Sequence, residues 1–309
     1  MISGTLGQEN TVWNKVNLVK VSDGTESGGT LTIEGQNYFT GTTTVSGGTL
    51  KLTGNAVAAN GPITVENGST LEFNVASGSK KLELSASNAI FSTGTGQIVK
   101  TGAGTLQFDA DENSFDAKDL VLAEGRLDFK GTMNGNITVS NGVFSPGNSV
   151  GTTNISGNVV ITDSGKALFE FSPYNNGEGE FDVLNIVNGT AENAFTVDDN
   201  MIQMIQLQFV SEEDASFWAD ALENDPTGGY KLVSDEGFTS LGDLSSWLDN
   251  NYDLFGLEGR TDGLYLIGLG AGPGPGPGPG PGSGVPEPST WALLALGVVV
   301  LFLRKRVRN

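Results

Sequence analysis

The sequence predicts a mainly β protein whose body is a right-handed parallel β-helix, or β-solenoid, with coils of roughly 20 residues. A small α+β C-terminal cap, a linker and a single C-terminal transmembrane helix are expected after it. Three observations support this prediction: a glycine corner that recurs along the chain, alternation of apolar and polar residues after each corner, and a Gly-Pro segment followed by an apolar stretch with a basic end.

The recurring corner places glycine one to three residues before a leucine. It occurs at residues 28–31, 47–50, 67–71, 104–106 and 124–127, with a spacing of 19 residues between the first two and 21 between the last two. After each corner, apolar and polar residues alternate, which is the period of a β-strand. Glycine fits such corners because they require positive φ or close backbone approach.

A second family of short alternating segments lies between the first, at residues 42–45, 63–65, 137–139 and 159–161. Two or three short strands per coil favour a solenoid, in which inward apolar residues stack on their equivalents about 4.8 Å away. An antiparallel sandwich is the alternative, because short strands and glycine-rich turns occur in both folds.

Residues 28–54 carry a Gly-Thr-Leu corner, a turn with tyrosine and glycine, a Thr-Thr-x-Val strand and a second Gly-Gly-Thr-Leu corner. This pattern resembles the autotransporter-associated β-strand repeat. Residues 61–75 and 96–130 keep the corner and lose the tyrosine turn. Residues 144–151 are similar to the Ser-Pro-Gly-Asn turn that closes such arrays, and residues 181–186 resemble the strand after that turn. The resemblance implies a passenger domain of a surface protein.

A shift in composition near residue 200 separates this body from the C-terminal region. We predict solenoid repeats over residues 1–199 and a C-terminal cap region with short helices over residues 200–270. A cap is expected because the last coil of a solenoid would otherwise expose apolar core and an unpaired edge.

Two short helices and one strand are expected within the cap. Ser211 with an acidic residue three positions later predicts the start of the first helix, and residues 241–248 carry the apolar positions of the second. Residues 263–267 predict the strand. A separate binding module is the alternative to a cap, with Trp218 or Trp247 as its anchor if either is exposed.

The composition excludes several chemistries. The chain has no His and no Cys, which removes Ser-His-Asp triads, thiol nucleophiles, disulfides and imidazole or thiolate metal sites. Its formal charge of −20, from 36 acidic and 16 basic residues, argues against nucleic-acid binding. We predict no catalytic residue, no cofactor and no metal site.

The acidic residues give no clear ligand set. Residues 109–113, Asp-Ala-Asp-Glu-Asn, resemble the start of an EF-hand loop, but its sixth position is Ser114 and its twelfth is Leu120. These replace the Gly and the Glu that calcium geometry requires. Asp182 and the pair at 198–199 are interpreted as isolated acids in turns or in solvent.

The C-terminal tail has three parts. Residues 271–284 form a Gly-Pro linker, and residues 285–309 contain 13 uncharged residues, 291–303, with the basic stop Arg304-Lys305-Arg306 after them. A helix of that length spans about 20 Å, short of the roughly 30 Å of a bilayer core, so a buried core helix is the alternative. We predict a transmembrane helix, because a linker and a basic stop flank it, with the basic end in the cytoplasm.

The motif Val285-Pro286-Glu287-Pro288, the apolar helix and the basic end occur in that order. This arrangement resembles the PEP-CTERM sorting signal. The resemblance implies processing by exosortase, a membrane protease-transpeptidase, in a Gram-negative bacterium that makes exopolysaccharide. The protein would be anchored transiently in the inner membrane and end in the envelope or outside the cell. Residues 1–10 lack the features of a secretory signal, so we expect the natural chain to begin upstream.

These patterns predict an exported, exosortase-sorted surface or extracellular-matrix protein without enzymatic activity, with a structural and adhesive role and contacts with exopolysaccharide. The alternative is a secreted β-helix polysaccharide lyase or hydrolase. A stacked row of acidic side chains in a groove would favour the enzyme, and smooth polar faces would favour the structural role.

Overall fold

Alternating segments fold as short strands that stack from one coil to the next. The computed structural model describes residues 16–25, 28–34, 40–54, 61–112, 114–173, 179–187, 189, 195–197, 204–225, 227–235, 244, 248 and 254–269. All of them lie in one compact unit.

The strands are mostly three to six residues long, because glycine corners interrupt them, and a few run through a corner without a break. In chain order the elements are β1 (Leu18–Lys20), β2 (Thr30–Ile33), β3 (Thr43–Val45), β4 (Thr49–Thr53), β5 (Ile63–Val65), β6 (Thr70–Asn74), β7 (Ser79–Leu84), β8 (Ile90–Ser92), β9 (Gln97–Thr101), β10 (Thr105–Ala110), β11 (Phe115–Leu122), β12 (Arg126–Ser145), β13 (Thr152–Ser156), β14 (Val159–Glu170), β15 (Val183–Val187), β16 (Phe195–Val197), β17 (Ile205–Gln208), α1 (Glu212–Glu223), β18 (Tyr230–Asp235), β19 (Phe255–Arg260) and β20 (Gly263–Gly268).

Parallel pairing joins the solenoid strands into ladders. The first ladder runs through β1, β3, β5, β8 and the start of β11, and it continues through the middle of β12 to β13 and β15. The second runs through β2, β4, β6, β9, the end of β11, β12, the start of β14 and β16. A third joins β7, β10 and the start of β12. The fold is therefore a β-solenoid and not an antiparallel sandwich; its right-handed sense stays a prediction.

The predicted coil spacing is confirmed where the corners are most alike. Leu31 pairs in register with Leu50, 19 residues later, and Leu50 pairs with Leu71, 21 residues later. Leu106 and Leu127 pair with the same 21-residue spacing. Each leucine therefore stacks on its equivalent in the next coil.

The grouping of the strands into two families is wrong, however. Leu71 stacks on Ile98 of β9, whereas Leu106 stacks on Lys80 of β7. The corner at 104–106 therefore lies on the third ladder, although its sequence matches the corners on the second. The reason is that β7 adds a strand to this coil and lengthens the step from β6 to β9 to 27 residues. A local pattern marks a strand but not the face on which it lies.

The core is a column of like residues along the solenoid axis. On the second ladder Leu50, Leu71, Ile98, Leu120 and Ile137 pair in register from coil to coil and are all buried. Full burial of each such side chain contributes about 1.5–3 kcal/mol.

Aromatic rings fill the wider middle of the solenoid. Phe73, Phe108, Phe115 and Phe129 are fully buried, and neighbouring rings lie 5.0–5.8 Å apart, mostly edge to face. This is the arrangement that ring quadrupoles favour.

The cap contains the first predicted helix and the predicted final strand. Ser211 caps α1 by accepting a hydrogen bond from the Asp214 backbone N–H, and Ala215, Trp218 and Leu222 are buried, as the spacing predicts. The final strand is β20, which pairs antiparallel with β18 and β19.

The rest of the cap is only partly described. Leu248 forms an isolated β-bridge with Ile205 of β17, so the predicted second helix does not extend to it. Leu244 is buried, and the other residues of 241–248, including Trp247, lie outside the described residues. Trp218 is 1% exposed, so it is not the external anchor of a binding module.

Candidate functional site

The outer face of the second ladder is a connected polar surface. The Lys51 Nζ lies 2.7 Å from Oε1 of Glu72. That same oxygen accepts a 2.6 Å hydrogen bond from Oγ1 of Thr101. Asn74 accepts from Thr53 at 3.2 Å and donates to Thr101 at 2.9 Å. The bonds run between successive coils, so the side chains form an ordered polar wall.

A lysine closes each of two corners from the inside. The Lys100 side chain is 1% exposed, and its ammonium donates to the backbone oxygens of Thr101 (2.9 Å), Gly102 (2.7 Å) and Glu124 (2.9 Å). Lys20 makes three bonds of the same kind to carbonyls of two successive coils. Burial lowers the pKa of Lys100 to about 8, against the opposing charge of Glu124. These lysines act as structural clamps between coils.

Asp182 is fully buried where the solenoid meets the cap. Its Oδ1 accepts a 2.8 Å hydrogen bond from the Gly151 backbone N–H, and its Oδ2 accepts a 2.9 Å bond from the Glu170 N–H. Burial raises the pKa of Asp182 to about 8, although both bonds favour the ionised form. The interpretation of Asp182 as a turn or solvated acid is therefore wrong, because it pins the turn before β13 to the end of β14.

An ion-paired cluster lies nearby. The Arg126 guanidinium is 3.1 Å from Oε2 of Glu170, and its Nε is bonded to Asp128. Gln107 donates to Asp128 at 3.3 Å, and Gln208 donates to Glu170 at 3.1 Å. Burial raises the pKa of Asp128, while the bond to Arg126 acts in the opposite direction. The cluster joins strands of different coils and leaves no acid in it without a donor.

Three acidic residues line a groove on the third ladder. Glu83 and Asp109 are neighbours in register, and Asp111 completes a groove of about 390 Å³. Lys81 lies between the first two, 3.0 Å from Glu83 and 3.3 Å from Asp109. The next coil places Lys130 beside Asp109. The acidic row is thus two residues long, paired to one lysine and continued by another.

The segment that resembles an EF-hand folds as strand, turn and strand. Asp109 and the buried Ala110 belong to β10, and Leu120 is 1% exposed in the core of β11. Within the part of the chain that the structure describes, no group of three or more His, Cys, Asp or Glu side chains is placed to bind one metal ion.

An open pocket of about 350 Å³ lies between the end of β14, the end of β17 and the turn that precedes β13. Its floor is apolar and includes Phe171 and Phe209. Its rim carries Glu170, Gln208 and Ser149, with the exposed Val210 beside them. No motif in the sequence indicated this pocket, because its parts come from three distant segments.

The predicted sorting residues, Val285 to Pro288 and Arg304 to Arg306, lie outside the described residues, as do residues 291–303. Among the residues that are described, no helix is long and apolar enough to cross a membrane.

Comparison with known families identifies the C-terminal signal. A family model described as the PEP-CTERM protein-sorting motif matches residues 284–306. This motif is the recognition signal for exosortase processing, so it implies an exported protein that is processed at the membrane. No curated protein and no solved structure matches the chain. The autotransporter-associated repeat stays a prediction from the sequence.

Proposed function

We propose that this protein is an exosortase-sorted surface or extracellular-matrix protein, non-enzymatic, with a structural and adhesive role that includes contacts with exopolysaccharide. The observation that carries the proposal is one chain in which a β-solenoid precedes a match to the PEP-CTERM motif. The motif supplies the route of export, and the solenoid supplies an extended body with an ordered outer surface.

The physical character of that surface supports an adhesive role. The wall formed by Lys51, Thr53, Glu72, Asn74 and Thr101 presents hydroxyl, amide and charged groups in fixed positions. Sugar hydroxyls donate and accept hydrogen bonds in the same way. A preordered wall loses little side-chain entropy when it binds a polymer.

The proposed location is based on the sorting signal. Residues 291–303 would hold the protein transiently in the inner membrane of a Gram-negative bacterium, with Arg304 to Arg306 on the cytoplasmic side. Exosortase would then release it to the cell envelope or the exterior.

The experiment that tests this proposal is co-sedimentation of the protein, purified from its host, with the exopolysaccharide of the same host. New reducing ends are assayed in the same tubes. We expect the protein to pellet with the polymer and no new ends to form. An unrelated acidic protein of similar size is the control, and pelleting no greater than this control would contradict the proposal.

The groove lined by Glu83, Asp109 and Asp111 favours a second candidate function, a secreted β-helix polysaccharide lyase or hydrolase. Carboxylates at a suitable separation are the machinery of glycosidic cleavage. Under this proposal new reducing ends would appear and would be lost in Glu83→Gln and Asp109→Asn. The exposed Glu112→Gln is the matched control.

A further inference from the structure

The pocket between the solenoid and the cap has a floor of fixed shape. The rings of Phe171 and Phe209 stack 4.6 Å apart, centroid to centroid, and are nearly parallel at 26°. Trp218 lies edge on to Phe171 at 5.2 Å, and Phe255 stacks on Phe209 at 5.1 Å. Because both floor rings are held from behind, the pocket does not need to form when a ligand arrives.

The polar rim is also held in place but keeps hydrogen-bonding capacity. Gln208 donates one amide hydrogen to Oε1 of Glu170 at 3.1 Å, while Oε2 of Glu170 pairs with Arg126 at 3.1 Å. A primary amide has two donor hydrogens and an acceptor oxygen, and a carboxylate oxygen accepts two bonds. Gln208 and Glu170 can therefore bind hydroxyl groups without giving up their mutual contact.

The charge of the pocket selects among ligands. Its lining includes the carboxylate of Glu170 and no Lys or Arg, and the whole chain carries −20. An anionic ligand would be repelled and would find no cation to pair with. A purely apolar ligand would leave the rim groups without hydrogen bonds, which costs free energy when such groups are buried. A neutral ring with one apolar face and several hydroxyls satisfies both the floor and the rim.

We propose that this pocket is a binding site for one neutral sugar unit of a polysaccharide chain. The inference rests on the proposed function and adds to it the place of binding and the class of sugar. The apolar face of the ring lies on the side of Phe171 and Phe209, and its hydroxyls bond to Gln208, Glu170 and Ser149. The pocket volume of about 350 Å³ accommodates a single ring, and its open side lets the polymer continue.

The test uses two substitutions of exposed valines. Val210→Arg places a long side chain at the rim of the pocket, and Val187→Arg makes the same change at the end of β15, outside the lining. Val210 is 66% exposed and Val187 is 48% exposed, so neither substitution disturbs the core. Thermal unfolding of both full-length variants checks that they fold.

The probe is a set of oligosaccharides from mild acid hydrolysis of the host exopolysaccharide, separated into neutral and uronic-acid fractions and titrated by calorimetry. We expect the neutral fraction to bind wild type and Val187→Arg alike, and Val210→Arg to lose at least about 10-fold in affinity.

The outcomes separate this inference from the proposed function. If the intact polymer co-sediments equally with both variants, the pocket is not the binding site and the adhesive role stands. Preferential binding of the uronic-acid fraction would overturn the class of sugar. Failure of every form to bind polymer or fragments would overturn both.

Discussion

Asp182 accepts a 2.8 Å hydrogen bond from the backbone N–H of Gly151, which lies 31 residues earlier in the chain. Through its other oxygen Asp182 holds the N–H of Glu170 at 2.9 Å. One buried carboxyl group therefore fixes the turn before β13 against the end of β14, next to the proposed sugar pocket.

This arrangement predicts a pH dependence of stability that Asp182→Asn removes. The pKa of Asp182 rises by burial from 3.8 to about 8 in the folded protein, so the folded state holds the proton more tightly than the unfolded state. The contribution to stability is complete below pH 3.8 and is lost as the pH rises to about 8. The difference in unfolding free energy between wild type and Asp182→Asn should therefore fall over this range.

Urea unfolding at several pH values measures that difference. The exposed Glu112→Gln serves as control, and its difference from wild type should not fall in this way. A constant difference between wild type and Asp182→Asn from pH 4 to 8 would show that Asp182 is ionised throughout.

Lys100 is expected to behave as a clamp whose removal destabilises two coils. In Lys100→Met the carbonyls of Thr101, Gly102 and Glu124 lose their donor, and each unsatisfied buried group costs about 1–3 kcal/mol. We expect a total loss of about 3 kcal/mol at pH 7, measured by urea unfolding. The matched control is Lys118→Met on the exposed face of β11, which should change stability by less than about 0.5 kcal/mol.

The pKa of Lys100 gives this prediction a second readout. Burial lowers the pKa from 10.5 to about 8, so the folded state releases its proton first. Stability relative to Lys100→Met should therefore rise as the pH increases from 8 to 10.5. A flat or falling difference would mean that the three carbonyls keep the ammonium charged.

The stacking of the leucines could be predicted because its causes are local. A glycine corner with an alternating segment after it sets both the start of the strand and its inward residues, so Leu31, Leu50 and Leu71 stack as expected. The position of Leu106 could not be predicted, because the added strand β7 moves the chain to a different face without changing the motif.

The candidate site residues were harder to predict because their partners are distant in sequence. The alternation in β9 gives Ile98 and Lys100 the same inward direction, but the carbonyl of Glu124, 24 residues later, gives no sign that it will meet the ammonium. Asp182 has the same difficulty, since its two partners are single backbone N–H groups on other coils. Backbone groups carry no residue identity, so sequence patterns do not report such bonds.

Two glycines separate the strain of a corner from its steric crowding. Gly48 and Gly68 have φ of 68° and 74°, a region that disfavours side chains at either position. A Cβ at Gly48 would overlap the carbonyl oxygens of Gly28 and Gly29 on the preceding coil, whereas a Cβ at Gly68 would meet nothing within 4 Å. Gly68→Ala should cost about 1 kcal/mol, and Gly48→Ala should cost at least about 2 kcal/mol more.

Thermal unfolding of the two alanine variants tests this difference. Equal losses would indicate that the coils at Gly28 and Gly48 can move apart at little cost, which contradicts a tightly stacked corner.

Sorting provides the last prediction, and it concerns Glu287 in the matched segment 284–306. Glu287→Ala removes the only charge from the motif Val285 to Pro288 and should leave the full-length protein in the membrane fraction of a host that carries exosortase. Immunoblots of membrane and medium fractions measure the ratio of the full-length to the processed form. Ser289→Ala, immediately outside the motif, is the matched control and should be processed as wild type is. Because the carboxylate is the feature that the alanine removes, normal release of Glu287→Ala would mean that exosortase does not read this glutamate.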